Sequence, residues 1–237
     1  MFPNVKAVVF DAVGTLIRPH RPVAEIYHEV GRRHGFEFSQ ATIADRFPLA
    51  FQRQESIDAD AGNWETDEQR ERERWRAIVG DVFEVVDACG IVCGDFEKLF
   101  ADLWDHFSLA DHWRVYDDVG PTLGQLARRR FILGVASNLD SRLECLAKQL
   151  HSLETCQHWF ISSQVGYRKP GNEFFQRAEQ CLGVSADRIL MIGDDPRNDV
   201  EGARQRGWHA MLVNRQLSCS STGAIHKLTE LLALLPE

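Results

Sequence analysis

The stretch VVFDAVGTLI, residues 8–17, decides the fold. A short apolar run enters an aspartate and then breaks at a small residue followed by Gly-Thr. It is too short for a helix and closes on a turn signal, so it reads as a strand buried on both faces. Four further runs have the same form: FILGVAS (131–137), HWFIS (158–162), ILMIG (189–193) and HAMLV (209–213), with the first strand itself reading as KAVVF (6–10). Helical patterns lie between the later ones: DVGPTLGQLARRR, DSRLECLAKQL, NEFFQRAEQCLG and DVEGARQRG. Strand alternating with helix implies right-handed crossovers, hence an α/β protein with a doubly wound, mostly parallel sheet.

Residues 18–112 break this rhythm. Helical patterns dominate there, in VAEIYHEVGRRHG, SQATIADRFPLAFQRQ, ETDEQRERERWRAIVGDVFEVV and DFEKLFADLWDHF, with loops expected near 56–64 and 88–95. The expected organisation is therefore a Rossmann-like α/β core domain, residues 1–17 and 113–237, carrying an inserted α-helical cap domain, residues 18–112. The RERERWR run reads as a solvated helix face with Trp75 as its core contact. Trp64 and Trp104, like Trp75, read as core aromatics of the insert, with lining of a substrate pocket as the alternative. Gly202 and Ala203 read as small residues that let a helix pack closely on the sheet.

An apolar fraction of 44% with 26% charged residues is that of an ordinary globular domain, and 237 residues bury enough core to fold without disulfides or a structural metal. The net charge of −8 has the wrong sign for nucleic acid or an anionic membrane, yet leaves room for a small anionic substrate in a locally positive pocket. No run is long enough to span a membrane, and the first residues lack a signal-peptide pattern. Six scattered cysteines without a CxxC read as reduced thiols, so the expected location is cytoplasmic. The residues leave the oligomeric state open.

In an open α/β sheet, ligands bind at the carboxyl ends of the strands. Asp11 closes the first strand, Ser137-Asn138 the strand 131–137, and Asp194-Asp195 the strand 189–193, while Lys169 lies in YRKPG after 158–162. A strand-end carboxylate can act as a nucleophile. The acids of GDDPRND suit a hard divalent cation such as Mg²⁺. Ser137, Asn138 and Lys169 can donate to phosphate-like oxygens. Thr15 reads either as a neighbour of the nucleophile or as support for the turn at Gly14. Arg18, His20 and Arg21 read as solvated linker residues, with contact to a substrate anion as the alternative.

Together FDAVGTL, ASN, RKPG and IGDDPRNDVEGA resemble the four ordered motifs of the haloacid dehalogenase-like (HAD) hydrolase superfamily, and the insert after the first motif resembles that superfamily's first type of cap. Within it, the chain is similar to the subgroup named after haloacid dehalogenase-like hydrolase domain-containing protein 3. The resemblance implies that Asp11 is the nucleophile and a metal ligand, that Ser137 and Lys169 bind the transferred group, and that Asp194 ligates Mg²⁺. It implies Asp199 as the supporting acid and Asp195 as an assistant in either role.

Val13 departs from the pattern. Phosphatases of this superfamily carry there an aspartate that protonates the leaving group and then activates water. Valine can do neither, although its backbone carbonyl can still bind the metal. General acid–base catalysis is worth about 10²–10⁴ in rate, roughly 3–5 kcal/mol. That loss is severe for alkyl phosphates and slight for acyl or aryl phosphates. The 2-haloacid dehalogenases, with DAYGT, also lack this acid but use no metal and lack the full spacing kept here by Asp194 and Asp199. Phosphonatases rely on a cap lysine, and the insert has just Lys98, expected late in a helix and solvated. The expectation is a Mg²⁺-dependent phosphatase working through an aspartyl-phosphate. The alternatives are a metal-independent 2-haloacid dehalogenase and a catalytically impaired binding or scaffold protein.

Overall fold

A computed structural model describes residues 2–85, 95–215 and 223–237. Cys89, Cys93, Cys219 and nearly all of the loop expected near 88–95 lie outside them. The chain divides into two compact units: an α/β unit of Met1–Arg18, Trp64–Asp67 and Arg114–Glu237, and an insert of Pro19–Asn63 and Glu68–Trp113.

In chain order the elements are β1 (Ala7–Phe10), β2 (Ile17–Pro19), α1 (Val23–Arg33), α2 (Gln40–Ala61), α3 (Glu68–Val82), α4 (Phe96–His106) and β3 (Trp113–Val115). There follow α5 (Val119–Arg128), β4 (Ile132–Ser137), α6 (Arg142–Ala147), β5 (His158–Ile161), α7 (Ser162–Val165) and α8 (Asn172–Leu182). The chain then forms β6 (Ile189–Gly193), α9 (Gly202–Gln205), β7 (His209–Val213) and β8 (Ala224–Ile225).

Six strands form one parallel sheet in the order β5-β4-β1-β6-β7-β8. Its central strand is β1, flanked by β4 and β6, which explains why VVF carries no polar residue: both faces are covered. Ala7, Val9 and Met191 pack on one side with Phe174, Phe175 and Trp208. Val8, Phe10, Leu133 and Val135 are equally buried. Gly202 sits where a Cβ would meet Phe175 and Pro170 at 2.8 Å, so α9 packs close to α8 and the lysine loop, as expected of its small residue. The carboxyl ends of β1, β4 and β6 lie side by side. The two-residue strand β8 and the ribbon of β2 with β3 went unread in the sequence, being too short to carry a pattern.

The insert has its own aromatic and aliphatic core, with Ile26, Tyr27, Phe36, Ile78, Phe83 and Leu99 at its centre and Trp75 and Trp104 packed against it. Several expectations are corrected there. Helix α2 runs on through Pro48 and across most of the expected 56–64 loop, ending at Gly62 with φ 62°. Asp58, read as a loop residue, is held in α2 by Arg74 of α3 at 2.7 Å. The RERERWR run is not a purely solvated face: Glu71 and Arg74 are buried, and Arg74 also pairs with Glu55. Lys98 lies in the first turn of α4, exposed and paired with Asp95 at 2.5 Å. Among the described residues, no helix is long and apolar enough to cross a membrane, and Cys145, Cys156 and Cys181 are free.

Candidate active site

Asp11 leaves β1 with its amide donating to the Ile192 carbonyl at 2.8 Å, which fixes its backbone against β6. Lys169, only 2% exposed, reaches it from the loop between α7 and α8. The Lys169 Nζ donates to Asp11 Oδ1 at 2.8 Å, Asp199 Oδ1 at 2.6 Å and the Ala136 carbonyl at 2.7 Å. An ammonium has three protons, so all are used. Asp199 stands on a π-helical turn, Pro196–Glu201, and its Oδ2 accepts from the Asp195 amide at 3.1 Å. At Gly193 a Cβ would fall 2.0 Å from Asp199 Oδ2, so only glycine lets β6 end beside this acid.

Asp194 follows β6 and is exposed. Thr15, fully buried, donates to it over a long 3.5 Å. Gly14 lies against it at φ 92°, where a Cβ would approach Asp194 Oδ2 to 2.2 Å. Carboxylate oxygens of Asp11, Asp194 and Asp199 all lie within 4.8 Å of one another.

Three acids thus share one ammonium. Burial pushes Asp11 up to about 6, with Lys169 opposing and Asp194 adding to the rise. Desolvation raises Asp194 to about 6, and Asp199 adds to it. Asp199 is raised to about 7, by burial first, with Lys169 opposing and Asp11 reinforcing. Burial works to lower Lys169, yet Asp11 and Asp199 hold it above an ordinary amine.

The remaining expected residues fall into two groups. Ser137, 4% exposed at the end of β4, has a hydroxyl without a partner among the described residues and so remains available. Asn138 and Asp195 take other work. Asn138 accepts from the Lys169 amide at 2.7 Å and donates to its carbonyl at 2.8 Å, so its side chain secures the lysine loop. Asp195 caps its own turn, accepting from the Arg197 and Asn198 amides and from Asn198 Nδ2, all at 2.8–2.9 Å, which occupies both of its oxygens. Val13 exposes 37% of its surface at the mouth of the first loop. Arg21 pairs with Glu25 and Glu29, and Arg18 lies 5.7 Å over the Tyr116 ring. The His20 amide donates to the His112 carbonyl at 2.7 Å.

Two features were missed in the sequence. Trp64, expected in the insert's core, belongs to the α/β unit, where residues 64–66 run antiparallel to 166–168. The Arg168 amide donates to the Trp64 carbonyl at 2.8 Å and the Thr66 amide to the Gly166 carbonyl at 3.0 Å, one residue short of Lys169. The second is Arg215, bound to the Thr15 carbonyl and to Asp118. A lone arginine after a strand and an acid before a helix give no sign in sequence that they meet.

A parallel α/β sheet with a helical insert after its first strand, and with acids and a buried lysine at three strand ends, defines a hydrolase architecture that the family comparison identifies. Residues 5–207 match the model of the haloacid dehalogenase-like hydrolases, and the chain belongs to that family. Among individual proteins, it is 26% identical over 213 residues to haloacid dehalogenase-like hydrolase domain-containing protein 3 of Danio rerio, covering 90% of this chain and 86% of that one. Phosphoserine phosphatase of Thermus thermophilus is 31% identical over 106 residues, 44% of this chain and 42% of its own. The fold is also that of L-2-haloacid dehalogenase from Xanthobacter autotrophicus with chloropropionic acid covalently bound, at TM-score 0.73 and 18% identity over 97% of this chain and 98% of that one.

Proposed function

We propose that this hydrolase is a Mg²⁺-dependent phosphatase that forms an aspartyl-phosphate at Asp11 and favours substrates with good leaving groups. The observation that carries the reading is the charge imbalance: three carboxylates within 4.8 Å of one another, with one ammonium among them. A dehalogenase gains nothing from this excess of acid. A divalent cation offsets it, and the oxygen-only donor set suits Mg²⁺. The residues fit such an ion. Asp11 and Asp194 offer oxygens, Asp199 supports from the side held by Lys169, and the Val13 carbonyl receives no hydrogen bond from any described residue. The bound ion would supply positive charge that lowers repulsion between Asp11 and an anionic substrate.

In this reading Asp11 Oδ2, the oxygen not taken by Lys169, attacks phosphorus while the P–O bond to the leaving group breaks. Water then attacks phosphorus, cleaving the Asp11–phosphate bond and releasing inorganic phosphate. Lys169 and Ser137 stabilise the charge on the transferred group, and Asn138 keeps the lysine loop in place. Nothing at residue 13 can give or take a proton, so the leaving group departs as an anion. Acyl and aryl phosphates tolerate this and alkyl phosphates do not. We read the insert as the first type of cap known from this family.

The experiment is phosphate release from p-nitrophenyl phosphate, acetyl phosphate and sugar phosphates, with Mg²⁺ or chelator, beside Asp11→Asn. The reading predicts turnover that requires both Mg²⁺ and Asp11 and is fastest on the first two substrates. Halide release from 2-haloacids in chelator would establish the dehalogenase reading instead, which the missing acid at Val13 favours. Silence in both assays would favour a binding protein.

A further inference from the structure

The loop between β1 and β2 is a tight turn tied down through the carbonyls of Ala12, Thr15 and Leu16. The Leu16 and Ile17 amides both donate to the Ala12 carbonyl, at 2.8 and 2.9 Å, and the Gly14 amide donates to that of Ile17 at 2.8 Å. The Leu16 carbonyl accepts from the Tyr116 amide at 3.1 Å. The Thr15 carbonyl accepts twice from one side chain, Arg215, through Nε at 2.9 Å and Nη2 at 2.6 Å. Among the described residues, the carbonyls of Asp11, Val13 and Gly14 in this loop accept nothing.

Arg215 is itself fixed on every side. Its Nη1 sits between the two oxygens of Asp118, at 3.1 and 3.2 Å, and its guanidinium lies 3.8 Å over the Tyr116 ring. Both charged side chains are about nine-tenths buried, at 10% and 11% exposure. Asp118 is held in turn by the Leu228 amide at 2.6 Å. The pair is internally neutralised, so its influence on the acids a few residues away runs through position and not through charge.

We propose that Arg215 is a positioning residue for the cation site, orienting the Val13 carbonyl by clamping the turn at Thr15. This rests on the Mg²⁺ reading above. The physical ground is the ion's demand for near-ideal geometry at short distances. The turn contains Gly14 at φ 92°, a conformation open to glycine above all, and its Val13–Gly14 peptide is held on the amide side by the Ile17 carbonyl, while no described residue donates to the Val13 carbonyl itself. The planar fork of Arg215 supplies rigidity two residues away, in a geometry that a lysine cannot reproduce. Arg215 therefore sets how tightly the ion binds, while the chemical step at saturating ion is left largely unchanged.

The test is Mg²⁺ titration by isothermal calorimetry on the full chain, for wild type, Arg215→Met, Arg215→Lys and Asp194→Asn, with kcat at saturating Mg²⁺ measured beside it. Loss of an outer partner of a metal ligand typically weakens binding about 10–100-fold, so Arg215→Met is expected at about 10-fold with kcat nearly unchanged. Arg215→Lys, which retains one donor, falls between it and wild type. A purely structural role would lower Tm in both variants and leave the Mg²⁺ affinity where it was, and that result overturns the inference while sparing the phosphatase. Wild type that binds no Mg²⁺, like Asp194→Asn, overturns both. Should Arg215→Met fail to fold, Arg215→Lys with Asp118→Asn decides: unchanged affinity in both is contradictory.

Discussion

In each unit of the molecule a buried cation lies between two carboxylates, and the two clusters are built to different ends. In the insert, Arg74 presents a planar fork with Nη2 on Glu55 and Nε on Asp58 at 2.7 Å, and its face lies 5.0 Å over Phe51. In the α/β unit, Lys169 is a point charge between Asp11 and Asp199, and Asp194 stands alongside with no cation of its own among the described residues. The first cluster ties α2 to α3. The second leaves charge uncompensated at the carboxyl ends of strands, which is where an open α/β sheet binds its ligands. Buried charge alone therefore does not mark a functional site; a buried ion cluster beside an acid that lacks its complement does.

Removing each cation in turn separates the two clusters. Lys169→Met should lower turnover by about 10²–10³, the loss typical of removing a single charge-stabilising donor. It should also destabilise the fold by about 3–5 kcal/mol, since Asp11 and Asp199 lose their partner. Activity assays and urea unfolding check the two halves. Arg74→Met should destabilise by about 3 kcal/mol, again by stranding buried acids, but leave kcat unchanged well below its Tm. Equal effects of both substitutions on kcat would erase the distinction between the clusters.

Val13→Asp sharpens it further. Restoring a proton donor should raise alkyl phosphate turnover by about 10² while scarcely changing that of acetyl phosphate. No gain on alkyl substrates would mean that the proton is not what limits them.

The smallest effects are in pH dependence, and they run in opposite directions. Asp11, Asp194 and Asp199 sit at about 6, 6 and 7 in the folded chain, above the unfolded carboxylate value of about 3.9. The folded state therefore holds more protons between about pH 4 and 7, and these groups make the metal-free protein less stable as pH rises through that window. Asp194→Asn should flatten the fall, and Mg²⁺ should raise Tm more at pH 7.5 than at pH 5. In the insert, desolvation, and after it the stacked His112 ring 3.7 Å away, hold His106 down at about 4. Its unfolded form takes up a proton near 6.5, so this group destabilises the insert as pH falls from about 6.5 to about 4. His106→Phe should remove that acid sensitivity, read by thermal melts across the window.

The strands of the main sheet were readable because each is buried on both faces, which forces a continuous apolar run. Asp11 and Asp194 were readable because they stand at the ends of those runs. Helix α2 was cut short in the reading because Asp58, Asp60 and Gly62 look like loop residues in isolation, while Arg74, sixteen positions away, holds Asp58 inside the helix. The hydrogen bonds of Asn138 and Asp195 were not legible for a related reason: residue type suggests a ligand contact, while the backbone amides that meet their oxygens are visible only in three dimensions. Arg215 left no trace in the sequence, since it acts on a backbone carbonyl 200 positions away.

The central claim is that Asp11 carries a covalent phosphoryl group during turnover. Rapid acid quench of the protein with acetyl phosphate and Mg²⁺, followed by peptide mass spectrometry, tests it most directly. Phosphate is expected on Asp11, present with Mg²⁺ and lost in chelator. Turnover with no modification there, or with unchanged turnover in Asp11→Asn, would contradict it.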